Sequence, residues 1–383
     1  MKKSILKSFI ALSVLSIFAF TSCQDVIFDD IRKEVKLEDA QISGSVNSIV
    51  WFGSDIYAQN GNIWKKSAAN LNSAHNWVQT SKPTDVTADY KYVNKLAADS
   101  TYLYAQLTLL DEDTEDDGEI ESQGCEIWYS SDGETWSGPL TISNSDGAEV
   151  SRFTSGEAVL FCTNAYDSSH RFAYLRVYDS PTEAYKIYRL NGETAEELTT
   201  GDDDRSTVPT TGASSCAWFN GSVYFSSGKA MATNEVPAYT DSNGNEVAAV
   251  PATYLYASSS DLVYYTTDGS NWDSADLNCS TIYSMALTQD YIIVGTADGI
   301  EHSALTDSVP ASGVSDFDTN AASTLSSYYE VHVVFTINPA FAEQSASVYG
   351  TTTYSGSSSS TSATQSNCGI WAYFASRGSW NRE

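Results

Sequence analysis

Glu126-Ile127-Trp128-Tyr129-Ser130-Ser131-Asp132-Gly133-Glu134-Thr135-Trp136 reads as a β-hairpin. An apolar and aromatic run suited to a strand is followed by Ser-Asp-Gly, where the chain must reverse, and then by a tryptophan that returns to a packed surface. The phrase recurs at Val263-Tyr264-Tyr265-Thr266-Thr267-Asp268-Gly269-Ser270-Asn271-Trp272, with Asp, Gly and Trp in the same register 136 residues on. A repeat speaks for architecture more than for activity, because each copy serves to bury its neighbour's face.

Outward from this pair, an apolar strand, a short polar turn and a second apolar strand occur at 49–58, 96–105, 216–225 and 285–294. Outer strands carrying an aromatic or apolar pair follow at 62–64, 127–128, 186–188, 263–264, 299–300 and 369–371, which makes six units. Their spacing of about 45–70 residues suits four-stranded units with loop insertions. Trp77 and Trp380 keep the closing aromatic of the repeat without its Asp, and Asn191-Gly192 keeps only the turn. The final unit, 368–380, is expected to dock beside the first one near Ile49, with residues 35–42 supplying a sealing strand.

Residues 130–136 resemble the Asp-box repeat, Ser-x-Asp-Gly-x-Thr-Trp, which decorates an outer hairpin of each blade of a β-propeller. Residues 266–272 match it with Asn271 in place of the second Thr. The resemblance implies an all-β β-propeller of six blades, with seven as the alternative. It also implies that Ser130, Asp132, Gly133, Trp136, Thr266, Asp268, Gly269 and Trp272 are structural, away from the channel, so it specifies a fold and no reaction.

The 383 residues hold 49 acidic and 20 basic side chains and carry a net charge of −29. Residues 1–22 contain three lysines and no acid, so their removal leaves 17 bases against 49 acids and a net charge of −32. Nucleic acid and anionic lipid surfaces are poor partners for such a field. With 24 Tyr, 9 Trp and only 3 Met, the composition favours strands and turns.

Lys2, Lys3 and Lys7 precede the apolar run 9–20, which is too short to cross a bilayer core of about 30 Å and reads as the signal peptide 1–22. Phe20-Thr21-Ser22-Cys23 resembles a lipobox, with Phe where Leu is usual, and implies lipidation of Cys23 and attachment to a membrane. Gln24-Asp25 and Asp29-Asp30 resemble the acidic start of surface-exported lipoproteins of Bacteroidota-like Gram-negative bacteria, which implies the outer membrane or cell surface. Residues 23–45 are then a tether and 46–383 the propeller domain.

Cys125, Cys162, Cys216, Cys279 and Cys368 form no CxxC and no Cys-His pair at metal-ligand spacing, and are expected to be mostly buried small hydrophobes on strands. In the acidic stretch 111–121, Asp113, Glu115 and Asp117 with Gly118 partly match a calcium loop. Gly124 stands where its bidentate Glu belongs, so the stretch reads as a solvated loop. His75, His170, His302 and His332 are scattered, and neither a GxSxG elbow nor a phosphate loop occurs, so no cofactor is expected. Sialidases carry Asp boxes, but no arginine here stands in their Arg-Ile-Pro context. The expectation is a lipid-anchored, non-enzymatic binding protein for an extracytoplasmic glycan or protein. The alternative is a carbohydrate-active hydrolase or lyase with paired carboxylates in the channel.

Overall fold

The hairpins form around turns that small residues allow. At Asn220-Gly221 both φ angles are positive, 50° and 84°, as a two-residue type I′ connection between Ser215–Phe219 and Ser222–Ser226 requires. The computed structural model describes residues 40–71, 73–84, 88, 90–111, 121–199, 212–233, 239–240, 244–248, 252–288, 290–316, 329–336, 348–353, 368–374 and 379–383. Among these the chain is all-β, with two short 3-10 turns at Ala68–Asn70 and Ser168–His170 and no α-helix.

Seven antiparallel sheets succeed one another along the chain. Sheet one is Ile49–Phe52, Asp55–Gln59, Ile63–Lys66 and Trp77–Thr80; sheet two is Tyr90–Ala98, Leu103–Asp111 and Glu121–Ser130. Sheet three is Val159–Cys162, Ala173–Asp179, Ala184–Asn191 and Thr194–Glu197; sheet four is the hairpin at Asn220-Gly221. Sheet five is Ala230–Ala232, Leu255–Ser259, Leu262–Thr266 and Asp273–Asp276. Sheet six is Ile282–Leu287, Tyr291–Thr296, Gly299–Thr306 and Val309–Pro310, with Ser315–Asp316 also on its third strand. Sheet seven is Glu330–Thr336, Val348–Thr353, Gly369–Phe374 and Ser379–Arg382. Two minor two-stranded ribbons complete the pairing.

The unit expected across 216–272 divides into sheets four and five. Lys229 N–H donates to Ser258 Oγ and Ser258 N–H donates back to Lys229 O at 2.8 Å, so Ala230–Ala232 leads a new sheet instead of continuing the old one.

The core is distributed between sheets rather than within them. Tyr57 and Ile63 pack with Leu96 and Leu107 between sheets one and two, and Ile127 packs with Leu160 and Leu175 between two and three. Phe161 meets Val223 and Phe225, and Ala217 and Tyr224 meet Leu255. Val263 meets Ile292, Ile293 meets Trp371 and Trp380, and a last cluster joins Trp51 and Ile56 of sheet one to Phe335 and Ile370 of sheet seven.

A tyrosine on the second strand of a sheet repeatedly meets the outer turn of the next sheet. Tyr57 lies against Gly133, where a Cβ would come within 2.5 Å of its Oη, and Tyr224 lies against Gly269 in the same way at 2.0 Å. Tyr104 Oη accepts from Gly192 N–H at 2.8 Å, and Tyr256 Oη donates to Ser308 O at 2.6 Å. Tyr349 of sheet seven donates to Leu71 O, in the outer connection of sheet one, at 3.0 Å.

The ends of the described chain meet at that same seam. Ile42 N–H donates to Glu383 O at 3.1 Å and Gly44 N–H to Cys368 O at 3.0 Å. Lys66 and Glu383, both fully buried, form an ion pair, and Trp77 Nε1–H donates to the same carboxylate at 2.8 Å. Of the stretch 35–42, only residues 40–42 are described.

Candidate functional site

The leading strands of all seven sheets contribute to one cavity of about 260 Å³. Trp51, Tyr166, Trp218, Tyr283 and Phe335 supply its aromatic wall. Lys95 and Lys229 are its cations, Asp167 is the one carboxylate among its described lining residues, and His332 is its imidazole.

Bulges and one loop place these groups. Asn94, Tyr283 and His332 each stand as the extra residue in their leading strand, without a partner across the ladder. A bulge bends the strand locally and re-aims its side chains. Tyr283 and His332 then stack across sheets six and seven, with centroids 4.6 Å apart and planes 20° from parallel, and Glu330 Oε2 lies 2.7 Å from His332 Nε2. The Asn94 bulge is held from sheet one, where Gln59 Nε2 donates to Asn94 O and Asn47 Nδ2 to Asn94 Oδ1 at 3.1 Å. The residue that follows is Lys95.

The loop 163–171 leaves sheet three and reaches sheet one. Asn164 Oδ1 accepts from Trp51 N–H at 3.0 Å, and the buried Arg171 guanidinium donates to the carbonyls of Gly53, Ala165 and Tyr166. Tyr166 meets Trp51 edge-on at 5.7 Å, and His170 stacks on Trp218 at 4.6 Å. Two aromatic walls of the cavity are therefore braced from this loop, Trp51 by Tyr166 and Trp218 by His170.

Among the described residues no carboxylate pairs with Lys95 or Lys229. Burial pulls Lys95 down to about 8, with repulsion from Lys229 adding to it, and burial likewise lowers Lys229. The described arginines sit elsewhere. Arg152 pairs with Glu126 at 2.9 Å, Arg176 donates to Ala213 O, and Arg189 lies over the Phe172 ring. None of these described arginines lines the cavity.

The repeat residues read from sequence lie on outer turns and not on the cavity. Ser130 Oγ donates to Asp132 Oδ1 at 2.9 Å and accepts from Gly133 N–H at 2.8 Å, while Asp132 Oδ1 also accepts the N–H groups of Glu134 and Thr135. Thr266, Asp268, Gly269, Ser270 and Asn271 reproduce the network atom for atom. Trp136 and Trp272 are half-buried, and Trp136 Nε1–H reaches back to Ser81 O of sheet one at 3.0 Å.

Cys125, Cys216 and Cys368 are buried, Cys162 and Cys279 are half-buried, and no disulfide joins any two of the five. Burial raises the Cys125 thiol to about 11. Cys23 and the acidic triad Asp113, Glu115 and Asp117 lie outside the described residues. Among the described residues no group of three or more His, Cys, Asp or Glu gathers to hold a metal ion.

The profile of the TP013X lipoprotein family matches residues 4–165, fewer than half of the chain. Two proteins of Treponema pallidum (strain Nichols), each an "Uncharacterized lipoprotein", are 36% identical over 87 residues and 33% identical over 94 residues. These segments are 22% and 24% of this chain, and only 20% and 19% of the relatives' own length. The likenesses support a bacterial lipoprotein. Apo AztD from Citrobacter koseri aligns over 88% of this chain and 71% of its own, at 9% identity and a TM-score of 0.28. PorZ of Porphyromonas gingivalis aligns over 88% and 41%, at 13% identity and a TM-score of 0.21. Scores this low carry no weight for fold or role.

Proposed function

We propose that this chain is a lipid-anchored β-propeller of seven blades that binds an extracytoplasmic glycan or protein through the cavity at its hub. The observation that carries the reading is the convergence of seven leading strands on one aromatic-walled cavity. Apolar clusters between successive sheets, the last between sheets seven and one, support a closed ring. The two self-bonded turns fit the structural role that the Asp-box resemblance implies. Similarity to lipoproteins supports Cys23 as the anchored residue, and the acidic start at residues 24–30 is the ground for placing it at the outer membrane or cell surface. Among the described lining residues Asp167 is the one carboxylate, whereas glycoside hydrolysis uses two about 5–10 Å apart.

Glycan arrays and pull-downs with extracellular proteins test the site, with Trp218→Ala and Tyr283→Ala as comparisons. A ligand captured by the wild type should be lost in both variants, and a ligand held equally by all three would place binding elsewhere. The anchor is tested by fatty-acid labelling in cells. The wild type should be marked and Cys23→Ser left unmarked; equal labelling would remove the anchor from the proposal.

A further inference from the structure

We infer that the hub cavity takes an oxyanion carried on a sugar ring, a carboxylate or sulfate ester, with Lys95 and Lys229 as its counter-charges; this rests on reading the cavity as a ligand site. Over the whole chain acids outnumber bases 49 to 20, yet the cavity's described lining holds two lysines and one aspartate. The reversal occurs where it is costly. Both ammonium groups are half-buried in the lining of one cavity, with no carboxylate paired to either among the described residues.

A fold needs no such arrangement, because a methionine at either position would fill the space without a charge to desolvate. An anionic occupant supplies the missing partner. Trp51, Trp218 and Tyr283 line the same cavity as the lysines, rings of the kind that pack on the C–H face of a sugar, and the volume has room for one ring rather than a chain. Of the groups whose charge acts on Lys95, Lys229 and Cys162 share the cavity lining, and Arg176 acts from outside it. Lys95 and Lys229 are both cations, so an anion entering there meets a positive field inside a negative molecule.

Calorimetry with the purified full chain at low ionic strength, using glucuronate, glucose 6-sulfate, glucose and free sulfate, tests the inference. At least one charged sugar should bind about tenfold more tightly than glucose, as one charge-assisted hydrogen bond warrants. The other of the two then tells carboxylate from sulfate ester. Lys95→Met and Lys229→Met should each abolish that preference while melting no lower than the wild type, since each removes an unpaired desolvated charge. Glucose binding as tightly as both charged sugars would overturn the anion while leaving the binding site intact. Free sulfate matching the charged sugars would overturn the role of the ring. If no sugar binds, and Trp218→Ala changes nothing in any binding assay, the site reading falls together with the inference.

Discussion

Tyr104 shows at the scale of one residue how neighbouring sheets are joined. Its hydroxyl donates to Asp99 Oδ2 at 2.6 Å and accepts Gly192 N–H at 2.8 Å, and burial raises its pKa far above the ordinary tyrosine value. Tyr104→Phe strands a buried carboxylate and an amide together, so it should destabilise by about 1–3 kcal/mol in thermal or denaturant unfolding. Gly133→Ala and Gly269→Ala each set a methyl against a tyrosine at a positive φ, and should cost about 1–3 kcal/mol. Backbone N–H groups of Thr135 and Asn271, foremost, hold Asp132 and Asp268 below the ordinary 3.8. Because the folded value is the lower one, their contribution is present above about pH 4 and disappears as acid protonates the turn; Asp132→Asn should flatten that acid limb. Lys95 has the same sense at the alkaline end. Its folded value is about 8 against 10.5 for an ordinary lysine, so the unfolded chain holds more protons between those values. Stability should rise across that window in the wild type and stay flatter in Lys95→Met. The Ser-Asp-Gly turns were legible in the sequence because all their partners lie within five residues. Lys95 was not, because what makes it unusual is burial by the other sheets, with repulsion from Lys229 and Arg176 far along the chain.

Hairpins are the elements that sequence reveals best, since alternation and turn chemistry are both local. The runs 49–58, 96–105, 216–225 and 285–294 all contain the expected paired strands. The count of units was less legible. Ala230–Ala232 is three residues long, half-buried throughout, and opens the polar stretch 231–250, so nothing in its pattern marks a leading strand. Its identity comes from pairing with Leu255–Ser259, which only the fold discloses. The bulges at Tyr283 and His332 were equally hidden, because an extra residue is defined by the partner strand. Between elements, Trp136 ties the outer turn of sheet two to Ser81 at the end of sheet one. Being half-buried, it should cost less than about 3 kcal/mol as Trp136→Ala, with ligand binding otherwise unchanged. An unchanged melting temperature with lost binding would move it into a site.

Across the whole molecule, the seam between sheets seven and one is fastened at its centre and its edge. Lys66→Met alone leaves the Glu383 carboxylate buried beside Trp77, and should destabilise by about 3–5 kcal/mol. Lys66→Met with Glu383→Leu should recover most of that loss, because the pair is then replaced rather than broken. Removal of residues 368–383 takes away two strands of sheet seven together with the Glu383 contacts, and should abolish cooperative unfolding of the entire domain. A single sharp transition near the wild-type temperature would refute that coupling. The hydroxyl of Tyr349 meets Leu71 as that of Tyr256 meets Ser308, so the seam is made of the same contact as an interior boundary. The boundary where residues 42 and 383 meet then follows the same rule as one inside the run of sheets. With Ile42 N 3.1 Å from Glu383 O, a short Gly-Ser linker would join them, and new ends opened in the exposed turn at Pro181-Thr182 should yield a circular permutant that folds and keeps its hub.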